Sequence, residues 1–198
     1  MQSRNGVFTV FAALMLCAGV LADADAAADK TAIPAAQPGH AQVVFMRSST
    51  VNMLVSVDIY DVTSGQPKRV GDMSNNRKVV LDLAPGDYIF MVGNIPWLDF
   101  MQASVLADKQ YFVIIAPHWP TNFSPRAIKH QGEGDFMYSS PEFTKLLKKT
   151  KLASPPEPMD PDKLQKVAEN YKPQWEKWQA KTPEQKAELT IRPQDSIR

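Results

Sequence analysis

The sequence predicts a mainly β fold: an antiparallel two-sheet sandwich of about seven strands with a C-terminal α-helical tail. Three observations carry this expectation. Between about residues 41 and 128, short apolar runs recur at close spacing with turn residues between them and no helical periodicity. In the middle of that region Val79, Leu81 and Leu83 alternate with polar residues, Pro85-Gly86 supplies a turn, and Tyr88-Ile-Phe-Met-Val92 opens a more buried strand. In a Leu83-Ala-Pro-Gly-Asp-Tyr88 corner of this kind, the tyrosine hydroxyl hydrogen-bonds back to nearby backbone as the chain passes between strands. Past residue 130 the composition changes to capped, Pro-punctuated segments with helical spacing.

At the start of the chain, Arg4 precedes an uncharged, largely apolar run from Val7 to Ala22. Ala22-Asp-Ala24 and Ala24-Asp-Ala26 then place small residues where a signal peptidase requires them, so residues 1–26 read as a secretory signal peptide cleaved at 24 or 26. The run is shorter than the roughly 20 apolar residues of a spanning helix. Cys17, the only cysteine, lies inside it, and Leu16 sits where lipoprotein processing requires a small residue, which disfavours lipidation there. A periplasmic protein without thiols or disulfides is therefore expected, with membrane attachment only if the signal segment is retained or Cys17 is lipidated. Residues 27–40, rich in Ala and Pro and without periodicity, read as a flexible lead.

The sandwich is expected over residues 41–130. Gln42–Arg47 reads as a first strand and Leu54–Tyr60 as a second, with Val55, Val57 and Ile59 inward and Ser56, Asp58 and Tyr60 outward. Lys68–Met73 and Arg77–Leu83 flank Ser74-Asn-Asn76, a hairpin signal because Asn tolerates positive φ. After the corner, Gly93-Asn-Ile-Pro96 breaks the chain before Phe100–Leu106, and Ala107-Asp-Lys109 turns it into Gln110–Ala116. That last run does not alternate, as expected of a central strand covered on both faces. Pro117–Pro125 reads as a loop, and Arg126–Lys129 as a last edge strand.

Residues 131–198 form the expected tail. Ser140-Pro-Glu-Phe starts a helix with a cap, a proline at its first position and an early acid, and Phe143, Leu146 and Leu147 give it one apolar face. Residues 155–161 form a stiff Pro-rich spacer. Asp160-Pro161 caps a second helix whose stripe of Leu164, Val167, Ala168 and Tyr171 continues through Trp175 and Trp178, with Pro173 expected to kink or break it. Thr182-Pro-Glu-Gln185 has capping-box spacing for a short third helix.

The balance of charge limits the function. Residues 40–140 carry eight Lys/Arg against nine Asp/Glu, and 141–198 carry twelve against nine. Nucleic-acid binding, which rests on clustered cations, is not expected from such a chain. The sequence has no nucleophile elbow, phosphate-binding Gly-Lys-Ser/Thr loop or His-Glu-x-x-His helix, and none of its patterns calls for a cofactor or a catalytic residue. His130-Gln-Gly-Glu-Gly-Asp135 could curl His130, Glu133 and Asp135 around a metal, but nothing in it specifies geometry and a solvated glycine-rich connection is the expectation; no metal site is assigned. Asp58 and Asp61 would need a pocket to serve as acid and base. Trp97, His118, Trp119 and Phe123 are expected in loops that could gather at one end of a sandwich, either as a stacking surface for a glycan or partner protein or as a plug of the open end or a seat for the tail helices. Tyr171, Trp175 and Trp178 read as the face by which the tail docks.

Val43-Val-Phe-Met-Arg47, Val70-Gly71, Leu83–Tyr88, Asp99-Phe-Met-Gln-Ala103 and Leu106–Val113 together resemble a group of small exported bacterial proteins built on a domain of unknown function. That group is similar to carboxypeptidase-regulatory and prealbumin-like, Ig-like sandwiches, in which a Pro-Gly-x-Tyr turn and a later Lys-x-Tyr turn mark where successive strands begin. The resemblance covers roughly residues 41–128 and implies a fold; it carries no catalytic residue over. The function expected is a non-enzymatic envelope module acting by protein–protein or structural interaction. The first alternative is a carbohydrate- or peptidoglycan-binding domain using the loop aromatics, and the second a metal-dependent enzyme at residues 130–135.

Overall fold

The computed structural model describes residues 29–118, 122–132 and 136–197. Eight strands are substantial: β1 (Ala41–Arg47), β2 (Val57–Asp61), β3 (Lys68–Met73), β4 (Arg77–Leu83), β5 (Gly86–Asn94), β6 (Trp97–Val105), β7 (Gln110–His118) and β8 (Asn122–Ala127). Helix α1 (Pro141–Lys149), the two-residue β9 (Lys151–Leu152), α2 (Pro161–Gln179), α3 (Pro183–Glu188), the two-residue β10 (Thr190–Ile191) and a 3-10 turn (Pro193–Asp195) complete the order. The expected signal peptide and Cys17 lie outside the described residues.

The strands form two five-stranded sheets, in the orders β8-β7-β1-β4-β9 and β10-β6-β5-β2-β3. The fold is mainly β, as the alternating runs predict, but the sheets are mixed and exceed the expected seven antiparallel strands. The pairs β1–β7, β4–β9 and β10–β6 run parallel. Two of these arise because the tail adds a short strand to an edge of each sheet.

The expected hairpin at Ser74–Asn76 is instead a crossing between sheets, since β3 pairs with β2 while β4 pairs with β1. Asn76 does take the positive φ of 59° anticipated for it, so the turn chemistry was readable and the destination of the chain was not. The Pro85-Gly86 corner is a second crossing, from β4 to β5, and Tyr88 Oη donates to the Ala84 carbonyl at 2.8 Å across it. A third crossing leads from β6 into β7. Pro125 lies inside β8 and not in a loop; β8 is an edge strand, where the missing N–H costs no ladder bond.

Apolar side chains fill three layers. Val43, Phe45, Val113 and Ile115 of the first sheet meet Ile59, Phe90, Val92 and Met101 of the second in the central core. On the outer face of the first sheet Val44, Met46, Phe112 and Ile114 pack under Phe143 and Leu146 of α1. On the outer face of the second, Tyr60, Met91 and Phe100 pack under Val167 and Trp178 of α2. Helices thus cover both sheets from outside, so β1 is buried along its whole length and Asp58 and Tyr60, expected to face outward to solvent, are buried as well.

The helices start where their caps require. Ser140 Oγ accepts from Phe143 N, Asp160 Oδ1 accepts from Asp162 N, and Thr182 with Gln185 forms a reciprocal capping box. Helix α2 runs unbroken through Pro173. The bond that Pro173 cannot make is outweighed by Tyr171, Trp175 and Trp178, whose rings all meet Phe100 of β6. Leu164 and Ala168 of the expected stripe are exposed. From residue 29 the expected flexible lead is fixed: Lys78 Nζ donates to Thr31 O at 2.7 Å, Leu152 N to Lys30 O at 2.8 Å and Gln42 Nε2 to Pro34 O at 3.1 Å.

Candidate functional site

The β5–β6 hairpin closes tightly. Gly93 has φ +136°, and a Cβ there would lie 2.3 Å from the Trp97 carbonyl, so only glycine fits. This places Trp97 at the start of β6 with 47% of its surface exposed. Leu98 and Phe100 turn outward beneath α2, and Asp99 turns toward β8, accepting from Ser124 Oγ at 2.6 Å. The second wall comes from α2 and α3. Trp178 Nε1 donates to the Phe100 carbonyl at 2.9 Å, its ring stacks on Trp175 at 4.9 Å, and Gln174 Nε2 reaches Pro96 O at 3.1 Å.

Between these walls lies a groove of about 520 Å³. Trp97, Asp99, Asn122 and Ser124 form its sheet side; Lys177, Lys181, Gln185 and Glu188 form its helix side, with Trp178 between. Lys181 Nζ lies 3.9 Å from Asp99 and Glu188 pairs with Arg126, so the lining carries both signs of charge. Asn122 Oδ1 is buried and has no hydrogen-bond partner among the described residues. One exposed indole face and polar side chains on both walls suit binding of a polar, partly apolar chain.

The residues singled out in the sequence separate here. Trp97 lines the groove from its rim, whereas Phe123 is a core side chain, 2% exposed, with the Arg47 guanidinium 4.4 Å over its ring. Phe123 therefore plugs the end of the sheets and offers no open stacking face, the second of the two roles expected of it, and Trp97, His118 and Phe123 lie in β6, β7 and β8 where loops were expected. His118 ends β7 opposite Asn122, and Trp119 lies outside the described residues. Tyr171, Trp175 and Trp178 sit on Phe100 and join the tail to the second sheet. His130 Nε2 is 2.7 Å from the Ser196 carbonyl, to which it donates, and its ring lies against Tyr138. Glu133 and Asp135 fall outside the described residues, and among the described residues no three metal-ligating side chains gather.

A second, smaller cleft of about 270 Å³ lies over β2 and β3. Asp58 accepts from Arg69 Nε at 2.8 Å and Nη2 at 2.5 Å, and lies 3.3 Å from the Tyr60 hydroxyl and 3.4 Å from Lys163 Nζ. Arg69 also donates to Asp72 and to the Glu157 carbonyl of the Pro-rich spacer. This network clamps the spacer to the sheet. Burial, followed by the Asp58 charge, pushes the Tyr60 hydroxyl far above its ordinary value. Asp61, the other acid considered, accepts from Thr63 N and Oγ1 and caps a turn.

Asp99, Asn122, Ser124, Lys181 and Gln185 carry the polar lining of the groove, and no local pattern in the sequence marks them. Non-local pairing brings them together. No protein-family model matches this chain, and neither does any curated protein.

Proposed function

We propose that the chain is a non-enzymatic module of the bacterial envelope, exported to the periplasm, whose Ig-like, prealbumin-like sandwich and docked helices hold a partner protein in the groove at Trp97. The observation that carries this is Trp97 itself: a large apolar ring left half in water on a polar-walled groove, while Trp175 and Trp178 are consumed in docking the tail. The buried charges support a structural and binding role, because Asp58 is committed to Arg69 and Lys78 to the carbonyls of Thr31 and Leu147. A photo-crosslinking residue at position 97 should give a discrete adduct in the cells that export the protein, and one at exposed Gln165 should not. Equal labelling at both positions, or turnover by the purified protein in a broad hydrolase screen, would remove this reading.

A glycan, peptidoglycan included, is the second reading. The exposed Trp97 indole on a groove lined by Asn122, Ser124 and Gln185 favours it, since sugar rings stack on tryptophan and their hydroxyls hydrogen-bond to such side chains. Trp97→Ala would then abolish sedimentation with isolated sacculi at an unchanged urea midpoint. Sedimentation that survives the substitution would exclude it.

A further inference from the structure

The connection between β1 and β2, residues 48–56, is an uncharged stretch that holds three aliphatic side chains in water. Val51, Met53 and Leu54 are 41, 49 and 97% exposed. The fold does not require this, because a leucine left wholly in solvent forgoes the stabilisation its burial would contribute.

The loop is nevertheless firmly held. Arg47, fully buried, donates through Nη1 to the Val55 and Met73 carbonyls and through Nη2 to the Asn52 carbonyl at 2.6 Å. Asn75 bonds both N and O of Ser49, at 2.9 and 2.8 Å, and Ser48 Oγ bonds Asn76 Oδ1 at 2.8 Å. The apolar tip is a projection anchored at its base.

Beside it stands a row of cations. Arg47 pairs in register with Arg77, and Arg77 with Lys151, whose N donates to Asn76 O at 3.0 Å. Lys148 and Lys149, exposed in the last turn of α1, immediately precede this strand. Lys148, Lys149 and Lys151 make no ion pair among the described residues.

We propose that this loop inserts into an anionic bilayer surface, with Leu54 and Met53 at the headgroup boundary and Lys148, Lys149 and Lys151 against lipid phosphates. The area and the charge select this occupant. The three side chains offer roughly 300 Å² of apolar surface, well below the ~800 Å² per partner of a stable protein interface, so a second copy or a protein partner would gain too little. An apolar tip at the end of the first sheet that also carries Lys148, Lys149 and Lys151 does satisfy the two conditions for reversible membrane binding, some acyl-chain contact and some electrostatic attraction.

The test uses the protein as the host cell exports it, sedimented with vesicles of phosphatidylethanolamine and phosphatidylglycerol and with vesicles of phosphatidylcholine alone. Binding should favour the anionic vesicles and weaken with salt. Met53→Ser with Leu54→Ser, at side chains outside the three apolar clusters, should lower it about tenfold or more, and Lys148→Glu with Lys151→Glu should lower it similarly at low salt only. An environment-sensitive dye on Leu54→Cys should shift to the blue on anionic vesicles, and the same dye on Gln165→Cys should not. No binding at low salt, equal binding by the double-serine variant, no dye shift, or a fall in oligomer size caused by the serine substitutions would each overturn the proposal. None of these outcomes involves the groove, so the reading of Trp97 stands or falls separately.

Discussion

Replacing Trp178 with alanine should detach the tail from the second sheet. Trp178 is 3% exposed, lies on Phe100 and Trp175, and donates to the Phe100 carbonyl at 2.9 Å. A buried indole removes roughly 200 Å² from water, worth about 5 kcal/mol at 25 cal/mol/Å², and a compact denatured state reduces this to about 3–4. The lost bond leaves the Phe100 carbonyl facing a cavity, adding about 1 kcal/mol. The expected loss is therefore about 4–5 kcal/mol, and Trp178→Phe, which keeps much of the ring volume, should lose about 1–2. Urea unfolding followed by near-ultraviolet circular dichroism measures both, and limited proteolysis should cut Trp178→Ala first between residues 150 and 182. A loss below about 1 kcal/mol for the alanine variant, with proteolysis unchanged, would show that α2 does not bear on the sheet and would refute the layered packing.

Three further outcomes follow from the same contacts. Asp58→Asn should cost about 2–3 kcal/mol, less than the usual penalty for a broken buried pair because Arg69 keeps Asp72 and the Glu157 carbonyl; Lys163→Ala should cost under about 0.5, its end of the contact being half in solvent. Tyr60 and Tyr138 have hydroxyls raised well above the ordinary value, in each case by burial first and a nearby aspartate second. A raised folded-state value means that the unfolded chain releases its proton first, so this stability is complete below about pH 10 and falls above it, by up to ~1.4 kcal/mol per pH unit for each hydroxyl. Ultraviolet difference absorbance should then show Tyr60 and Tyr138 ionising only as the protein unfolds in alkali, after Tyr88, Tyr111 and Tyr171, whose hydroxyls burial raises by less. Gly93→Ala, which drives a Cβ onto the Trp97 carbonyl at a positive φ, should cost about 2–3 kcal/mol and change the emission of Trp97; wild-type stability would contradict the hairpin geometry.

What could be read from the sequence was local. Ser140, Asp160 and Thr182 announced three helices because a cap is decided within four residues, and Tyr88 announced its bond to Ala84 for the same reason. The sheet to which a strand belongs is decided across the whole chain. Ser74–Asn76 reads as a hairpin turn, yet β4 leaves for the other sheet because β1, whose Val43 and Phe45 need an apolar partner strand, pairs with Val79 and Leu81. Asp58 and Tyr60 looked solvent-facing because alternation identifies two faces without saying that a helix more than 100 residues later will cover the outer one. The groove was illegible for that reason: Trp97 marked it, but Asp99, Asn122 and Lys181 come from β6, β8 and the α2–α3 connection, which only the finished fold brings together.

Two buried cations show how the irregular parts are held. Arg47 on β1 and Lys78 on β4 sit at neighbouring positions of the first sheet, both almost fully buried and both with their ordinary values lowered, by burial above all. Neither is paired to a buried carboxylate; each donates instead to backbone carbonyls, Arg47 to Asn52, Val55 and Met73, and Lys78 to Thr31 and Leu147. A charge placed there costs free energy that an apolar residue would not. The carbonyls it meets, however, belong mainly to segments without a ladder of their own, the 48–56 loop and the 29–34 lead, together with the end of α1. Buried without a donor, each of those carbonyls would carry the desolvation cost of an unmade hydrogen bond. Layers of apolar side chains hold the strands and helices, and two desolvated cations hold what lies between them, so the exposed tip at Leu54 has a rigid base from which to act.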